Sequence, residues 1–327
     1  MKAIKFFAIS AMAAAMITSC SSEDELSQSN YPSDNIIRVT AGVNNAKTRA
    51  EGAGTEMKNN FSLTIVNKNA PKYTYTDKVF SKKSGDWACS ETLLWQKSDA
   101  LVDIVAFAPA QTGKFNGVYA EGSIQPITYS VASDQSTSSD NNDLLYYYAK
   151  DFNPGKSLKD KKLSIQFNHA FCMIDIVVTL GTEFNKPEVL KESPIVKVTL
   201  GGTKIEANVN VTNAASVVTA SETAAATDIT TTQGTFDKAA NPEANAISRF
   251  SCIAIPQNVA GKTFKVSLMT AGKLYEWTSA EPVELKSGYR YTLKLSMGND
   301  VVLLKGGSIT ASPWTEAVIK DNTLETD

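Results

Sequence analysis

RYTLKLSM, Arg290 to Met297, alternates from end to end: Tyr291, Leu293, Leu295 and Met297 fall on one side, Arg290, Thr292, Lys294 and Ser296 on the other. A period of two places every second side chain on the same face of an extended chain, so the segment reads as a half-buried strand. IEANVNV (Ile205 to Val211) repeats the pattern, with Ile205, Ala207, Val209 and Val211 against Glu206, Asn208 and Asn210. IIRVTAGV (Ile36 to Val43) does so again, with Ile37, Val39, Ala41 and Val43 sharing one face and Arg38 and Thr40 the other. FSLTIV (Phe61 to Val66), IVKVTL (Ile195 to Leu200) and FKVSLM (Phe264 to Met269) behave alike. ALVDIVAFAP (Ala100 to Pro109) and FCMIDIVVTL (Phe171 to Leu180) are more continuously apolar and read as central strands. Turn-forming clusters such as SKKSGDW, TGKFNG, LGGTK, VAGK and KSGY separate the runs.

No long segment carries a helical period, so the chain is expected to be all-β. Its 327 residues exceed one typical domain once a leader is set aside. Short strands with turns at this spacing predict two tandem antiparallel β-sandwich domains. The break falls in KDFNPGKSLKDKK (Lys150 to Lys162), which holds Pro154, Gly155 and a cluster of charge. The expected division is a leader over 1–19, an acidic tether over 20–35, a first sandwich over 36–158 and a second over 159–327. SDQSTSSDNND (Ser133 to Asp143) reads as a loop, and the Thr- and Ala-rich stretch Thr212 to Ala244 as a long surface excursion.

The first residues are decided by chemistry of another kind. Lys2 and Lys5 precede the short apolar run Phe6 to Ser19, the pattern of a secretory signal peptide. ITSC (Ile17 to Cys20) resembles the bacterial lipobox, in which small residues before the scissile bond admit an extended chain to a peptidase. Cys20 is then the lipid attachment site, and two or more acyl chains hold a protein stably on a membrane. SSEDE (Ser21 to Glu25) resembles the export signal of surface lipoproteins in the Bacteroidetes, which directs them to the outer face of the outer membrane.

Most catalytic chemistry lacks its residues. A net charge of −2 gives no basic field for nucleic acid. The single histidine, His169, lies among apolar strand positions in IQFNHAFCMID and reads as structural. Several His or Cys ligands at close spacing are missing, so no metal site is expected, and the loop Ser133 to Asp143 lacks the glycine and terminal glutamate of an EF-hand. No phosphate loop is present, so no cofactor is expected. Beyond Cys20 there are three cysteines, Cys89, Cys172 and Cys252, an odd number that argues against a full disulfide framework. Cys172 and Cys252 read as buried thiols. Trp95, Trp277 and Trp314 read as packing residues before sugar platforms.

One polar loop, 44–60, follows the first strand. It holds Arg49 followed by the small Ala50, and exposed flexible loops are where proteases cut. A cut there would free the strand Ile36 to Val43 and leave an apolar groove bordered by unpaired backbone groups. Another copy could fill such a groove by strand addition, and head-to-tail donation of that kind does not close, so it grows fibres.

Over nearly its whole length the chain resembles the fimbrillin family of the Bacteroidetes, the subunits of type V pili. The likeness rests on the lipobox, KTRAEG (Lys47 to Gly52), NDLLYYYAKD (Asn142 to Asp151), LSIQFNHAFCMIDIVV (Leu163 to Val178), SGYRYTLKLSM (Ser287 to Met297) and SITASPWTE (Ser308 to Glu316). The resemblance implies two transthyretin-like sandwiches, export as a lipoprotein, and cleavage between Arg49 and Ala50 by an arginine-specific surface protease. The displaced strand would carry Ile37, Val39, Ala41 and Val43. The donor strand would come from 301–327, with Val301, Leu303 and Ile309 as its apolar residues. Expected partners are other fimbrial subunits or copies of the chain itself, with a host protein or glycan as a further candidate. The role is structural or adhesive and not enzymatic. The alternative is a surface glycan-binding lipoprotein that keeps Cys20 and presents Trp and Tyr rings to sugars. A hydrolase would need paired carboxylates in a cleft, and sequence alone places no such pair.

Overall fold

The computed structural model describes residues 30–44, 55–57, 59–111, 119–120, 123–124, 126–137, 142–299, 301–304 and 309–314. They form an all-β structure in which helix is confined to short turns such as Pro154–Ser157.

The first sheet is ordered Leu163–His169, Leu145–Phe152, Val102–Ala108, Phe61–Val66, Tyr75–Lys83, Asp86–Cys89 and Val39–Val43, with the short Thr55–Glu56 beyond. Val39–Val43 also pairs with Leu163–His169, so the sheet closes on itself through the first strand. That closing pairing is parallel, as is the pairing of Cys172–Leu180 with Tyr289–Met297 in the second large sheet. Both depart from the antiparallel expectation. Parallel neighbours need long crossovers, and Val43 and Leu163 are separated by more than one hundred residues of chain.

The second large sheet runs Thr232–Asp237, Ala246–Ala254, Cys172–Leu180 and Tyr289–Met297. Val302–Leu304 and Thr310–Pro313 both pair with Tyr289–Met297 at the sheet's edge. A four-stranded sheet carries Ile229–Thr230, Ile195–Gly201, Lys265–Thr270 and Leu274–Thr278, and a three-stranded one carries Val218–Ala220, Glu206–Val209 and Ile127–Ser130.

Two hydrophobic cores result. The first gathers Ile37, Val39, Val43, Phe61, Ile104, Trp95, Leu163, Ile165 and Phe167 among others. Phe61 is its centre, stacked on Phe80 with centroids 5.2 Å apart and meeting Trp87 and Phe167 edge-on at 4.9 and 5.6 Å. The second is larger and is built on Ile174, Ile176, Val178, Leu200, Val266, Leu268, Leu293 and Leu295. Two strands serve both. In Val102–Ala108, Ile104 and Ala106 belong to the first core while Val105 and Phe107 belong to the second. In Leu145–Phe152, Leu145 and Tyr147 pack on the first core, Tyr146 and Tyr148 on the second. The continuous apolar run at Ala100 to Pro109 has its explanation here, because alternation disappears when both faces are covered.

Pairing and burial add to the sequence reading at several points. The boundary after residue 158 separates Leu163–His169 from the first sheet, to which its ladder and its side chains belong. Conversely Ile127–Ser130, from the first half, pairs with Glu206–Val209 and fills the second core. The end of the tether is already folded: Tyr31 packs on the first core, and the Trp95 amide donates to the Asn35 carbonyl at 2.8 Å. The excursion at Thr212 to Ala244 contains the strands Val218–Ala220, Ile229–Thr230 and Thr232–Asp237, with Val218 and Ile229 buried. Its threonines are β-branched and suit an extended chain. Phe61–Val66 is buried at every position, not at alternate ones, because Ser62 and Thr64 satisfy their hydroxyls against Phe107, Gln111 and Asp77.

Candidate functional site

The first strand is the place where sequence and fold converge. Its alternation survives in three dimensions: Ile37, Val39 and Val43 are buried, Ala41 packs against the same core, and Arg38 and Thr40 face outward. It is held at both edges. On one side Val39 to Val43 match Leu163 to Phe167, the Leu163 amide donates to the Arg38 carbonyl at 2.8 Å, and the Asn44 amide donates to the Phe167 carbonyl at 2.7 Å. The Asn44 side-chain amide adds a bond to Asn168 Oδ1 at 2.9 Å. On the other side the Ile37 amide donates to the Leu93 carbonyl at 2.9 Å, and Val39 sits opposite Trp87. Arg38 grips Asp34 with both terminal nitrogens; these bonds, then one from the Ile36 amide, hold the Asp34 carboxyl at about 2.

Among the described residues, Leu163 to Phe167 finds its ladder partner in this strand alone. Its continuation, Asn168 and His169, pairs with Tyr146 and Leu145, but among the described residues no other strand pairs with Leu163 to Phe167. The side chains of Leu163, Ile165 and Phe167 are completely buried.

The C-terminal segment lies at the far edge of the second large sheet. Val302–Leu304 pairs with Leu295 to Met297, and Thr310–Pro313 with Tyr289 to Thr292, so two short strands share one edge. All four residues of Thr310–Pro313 are exposed. Of the candidate donor residues, Val301 is exposed, Leu303 lies within Val302–Leu304, and Ile309 packs against the second core. Arg290, on the strand they cover, pairs with Asp175 through Nε and Nη2. Trp314 ends the segment. Its amide donates to the Gly288 carbonyl at 2.7 Å, and its ring stacks on His169 with centroids 3.8 Å apart.

His169 is buried, with Nδ1 2.7 Å from Asp143 Oδ2. No sequence signal marked its contact with Trp314, which lies far along the chain. Nor did anything mark Gln135, completely buried, whose side-chain amide both donates to and accepts from the backbone of Ile253. Cys20, Arg49 and Ala50 lie outside the described residues.

Among the described residues no group of His, Cys, Asp and Glu is arranged to hold a metal ion, and no helix is long and apolar enough to cross a membrane. Cys89, Cys172 and Cys252 are free. Burial pushes the Cys172 and Cys252 thiols up, far from the thiolate that reacts. Brief treatment of the folded chain with iodoacetamide is therefore expected to modify the half-buried Cys89 and spare the other two. Mass spectrometry of the peptides checks this, and equal labelling of all three would mean that the second core opens readily.

The family model described as fimbrillin-like matches residues 48–314. No curated protein matches the chain. Among solved structures, a protein from Bacteroides ovatus assigned to cell adhesion aligns with a TM-score of 0.60 at 16% identity, covering 88% of this chain and 99% of its own. One from Bacteroides uniformis, assigned likewise, aligns at 0.57 and 15%, covering 87% and 100%. A fimbrial protein from Bacteroides vulgatus aligns at 0.54 and 15%, covering 86% and 99%. At such identities the likeness is one of fold, but the family model spans most of the sequence: the chain belongs to the fimbrillin-like family.

Proposed function

We propose that the chain is a subunit of a surface fimbrium, assembled by donation of a strand from one copy or a related subunit to the next. In this reading Cys20 is lipidated, the lipoprotein reaches the outer face of the outer membrane, and an arginine-specific protease cuts between Arg49 and Ala50. The strand bearing Ile37, Val39, Ala41 and Val43 departs with the lipid. The vacated place takes a strand from the 301–327 region of the next subunit. The mature unit is then two tandem sandwiches, one around each core, with a structural or adhesive and non-enzymatic role.

One observation carries the reading. The segment that a cut at Arg49 would remove is the one that closes the first sheet and, among the described residues, alone pairs Leu163 to Phe167. Its loss leaves a preformed apolar channel with unpaired backbone on both sides, a template for strand addition. A replacement strand regains roughly 1.5–3 kcal/mol for each large side chain buried, against about 1–2 kcal/mol per residue for ordering its backbone.

A second reading keeps the lipid and binds glycans. In its favour is a cleft of about 760 Å³ lined by Tyr146, Tyr289, Asn258 and Glu222 among others. Against it, Trp95 and Trp314 are buried and offer no platform.

The test is the N-terminus of protein recovered from the cell surface. Fimbrial material beginning at Ala50, with Arg49→Ala remaining monomeric, supports assembly. Chains still acylated at Cys20 and never polymeric favour the glycan reading.

A further inference from the structure

The two segments that the proposed assembly must mobilise, the first strand and the C-terminal edge strand, are distant in sequence yet meet through one short path. The first strand pairs with Leu163 to Phe167, and Asn44, the residue after it, bonds to both Phe167 and Asn168. The next residue is His169. Its imidazole is clamped between the Asp143 carboxylate and the ring of Trp314. Trp314 directly follows Thr310–Pro313, whose own side chains are exposed and contribute no burial. Beyond its ladder to Tyr289–Thr292, that strand is therefore held at its ends, by Ile309 on one side and by the buried Trp314 on the other.

The junction is also unevenly satisfied. His169 Nε2 and Asp143 Oδ1 are buried and have no hydrogen-bond partner among the described residues. Buried polar atoms without partners favour any motion that lets water reach them. The Trp314 ring covers the imidazole, so lifting it hydrates a group that the closed arrangement leaves wanting. The stack thus covers the end of the edge strand and is opposed by the group beneath it.

We infer that the His169–Trp314 stack is a latch coupling the two ends of the chain: loss or loosening of the first strand frees Leu163 to Phe167, leaves His169 seated by a two-residue ladder alone, withdraws the imidazole from Trp314, and releases the C-terminal edge strand. The order of events follows from the pairing. With the first strand gone, Leu163 to Phe167 has no ladder partner among the described residues, and the short ladder of Asn168 and His169 with Tyr146 and Leu145 is the next support that must carry the load. Coupling of this kind is reciprocal, so weakening the latch must loosen the first strand in turn. An unprocessed chain keeps its donor seated; a processed one presents it.

Native-state hydrogen exchange on the full, uncleaved chain tests this. Three amides report: Leu163, bonded to Arg38; Trp314, bonded to Gly288; and Leu268, in the Lys265–Thr270 strand of the second core, as control. In the unmodified chain, Leu163 and Trp314 are expected to share one opening, with the same dependence on low urea, distinct from that of Leu268. Val39→Ala is expected to raise exchange at both Leu163 and Trp314 by about tenfold and to leave Leu268 unchanged. Trp314→Ala should raise exchange at Leu163 and Asn44, while Trp314→Phe, which keeps a ring over His169, should do so much less. If each substitution affects only its own end, or if all three amides rise together, the latch is wrong. Should a variant fail to fold, the urea series on the unmodified chain decides alone. The latch explains the proposed assembly but its test needs no cleavage: linked opening without polymers would sink the assembly reading, and polymers from a chain whose ends open independently would sink the latch.

Discussion

Val39→Asp is expected to destabilise the chain by about 3–5 kcal/mol, because it leaves a carboxylate buried without a partner. Val39 is 4% exposed and lies in the first core, opposite Leu163 on one side and Trp87 on the other. Thr40→Asp, one position along, should change stability by less than about 0.5 kcal/mol, since Thr40 faces water. Urea unfolding followed by tryptophan fluorescence reads both, because Trp95 is buried in this core and Trp87 packs on it. The contrast between neighbours is the informative quantity. Equal effects would mean that the strand is not seated in the register described, and with it would fall the argument that its departure opens a groove.

Gly202→Ala should be comparably damaging for a different reason. Gly202 has φ of +86°, a conformation open to glycine, and a Cβ there would lie 2.1 Å from the Thr263 carbonyl oxygen. The obstacle is backbone, which cannot swing aside, so the turn between Ile195–Gly201 and Glu206–Val209 must move. A loss of about 2–4 kcal/mol is expected, from strained backbone and the clash together. Gly272→Ala is the control: nothing lies within 4 Å of a Cβ added there, and its φ is not in the left-handed region. Thermal unfolding of the two variants separates the cases, and a Gly202→Ala chain as stable as Gly272→Ala would show that the turn adapts.

The strands were legible wherever one face meets water. Arg290 to Met297, Glu206 to Val209 and Ile37 to Val43 keep in space the alternation visible in the sequence, since burial on a single face is what creates the pattern. Legibility failed where burial is two-sided or polar. Ser62 and Thr64 are hidden by partners that no local pattern announces, and Gln135 is buried because it imitates a neighbouring strand for Ile253. Pairing was less legible still. Nothing local links Val39 to Leu163, so the closed sheet, the parallel closure and the sharing of Ile127–Ser130 with the second core were out of reach. The candidate site divides the same way: the first strand was found from its own alternation, whereas the contact between His169 and Trp314 depends on segments that only the fold brings together.

The strands that serve two cores restrict how this sequence can drift. A single residue inserted just before Ile104, with the start of Val102–Ala108 held in register, would turn Val105 and Phe107 toward the first core and Ile104 and Ala106 toward the second, since a shift of one reverses every side chain beyond it. Both interiors would be mispacked by one event, with the Phe107 ring pressed into space shaped for alanine. No compensating change in one core could repair the other. The same insertion at the Ala271–Gly272 turn, where nothing lies within 4 Å of a Cβ added at Gly272, would be absorbed locally. Length variation among relatives of this chain should therefore collect in such turns and avoid the common wall, and a library of random single-residue insertions scored for folded protein would show a gap there.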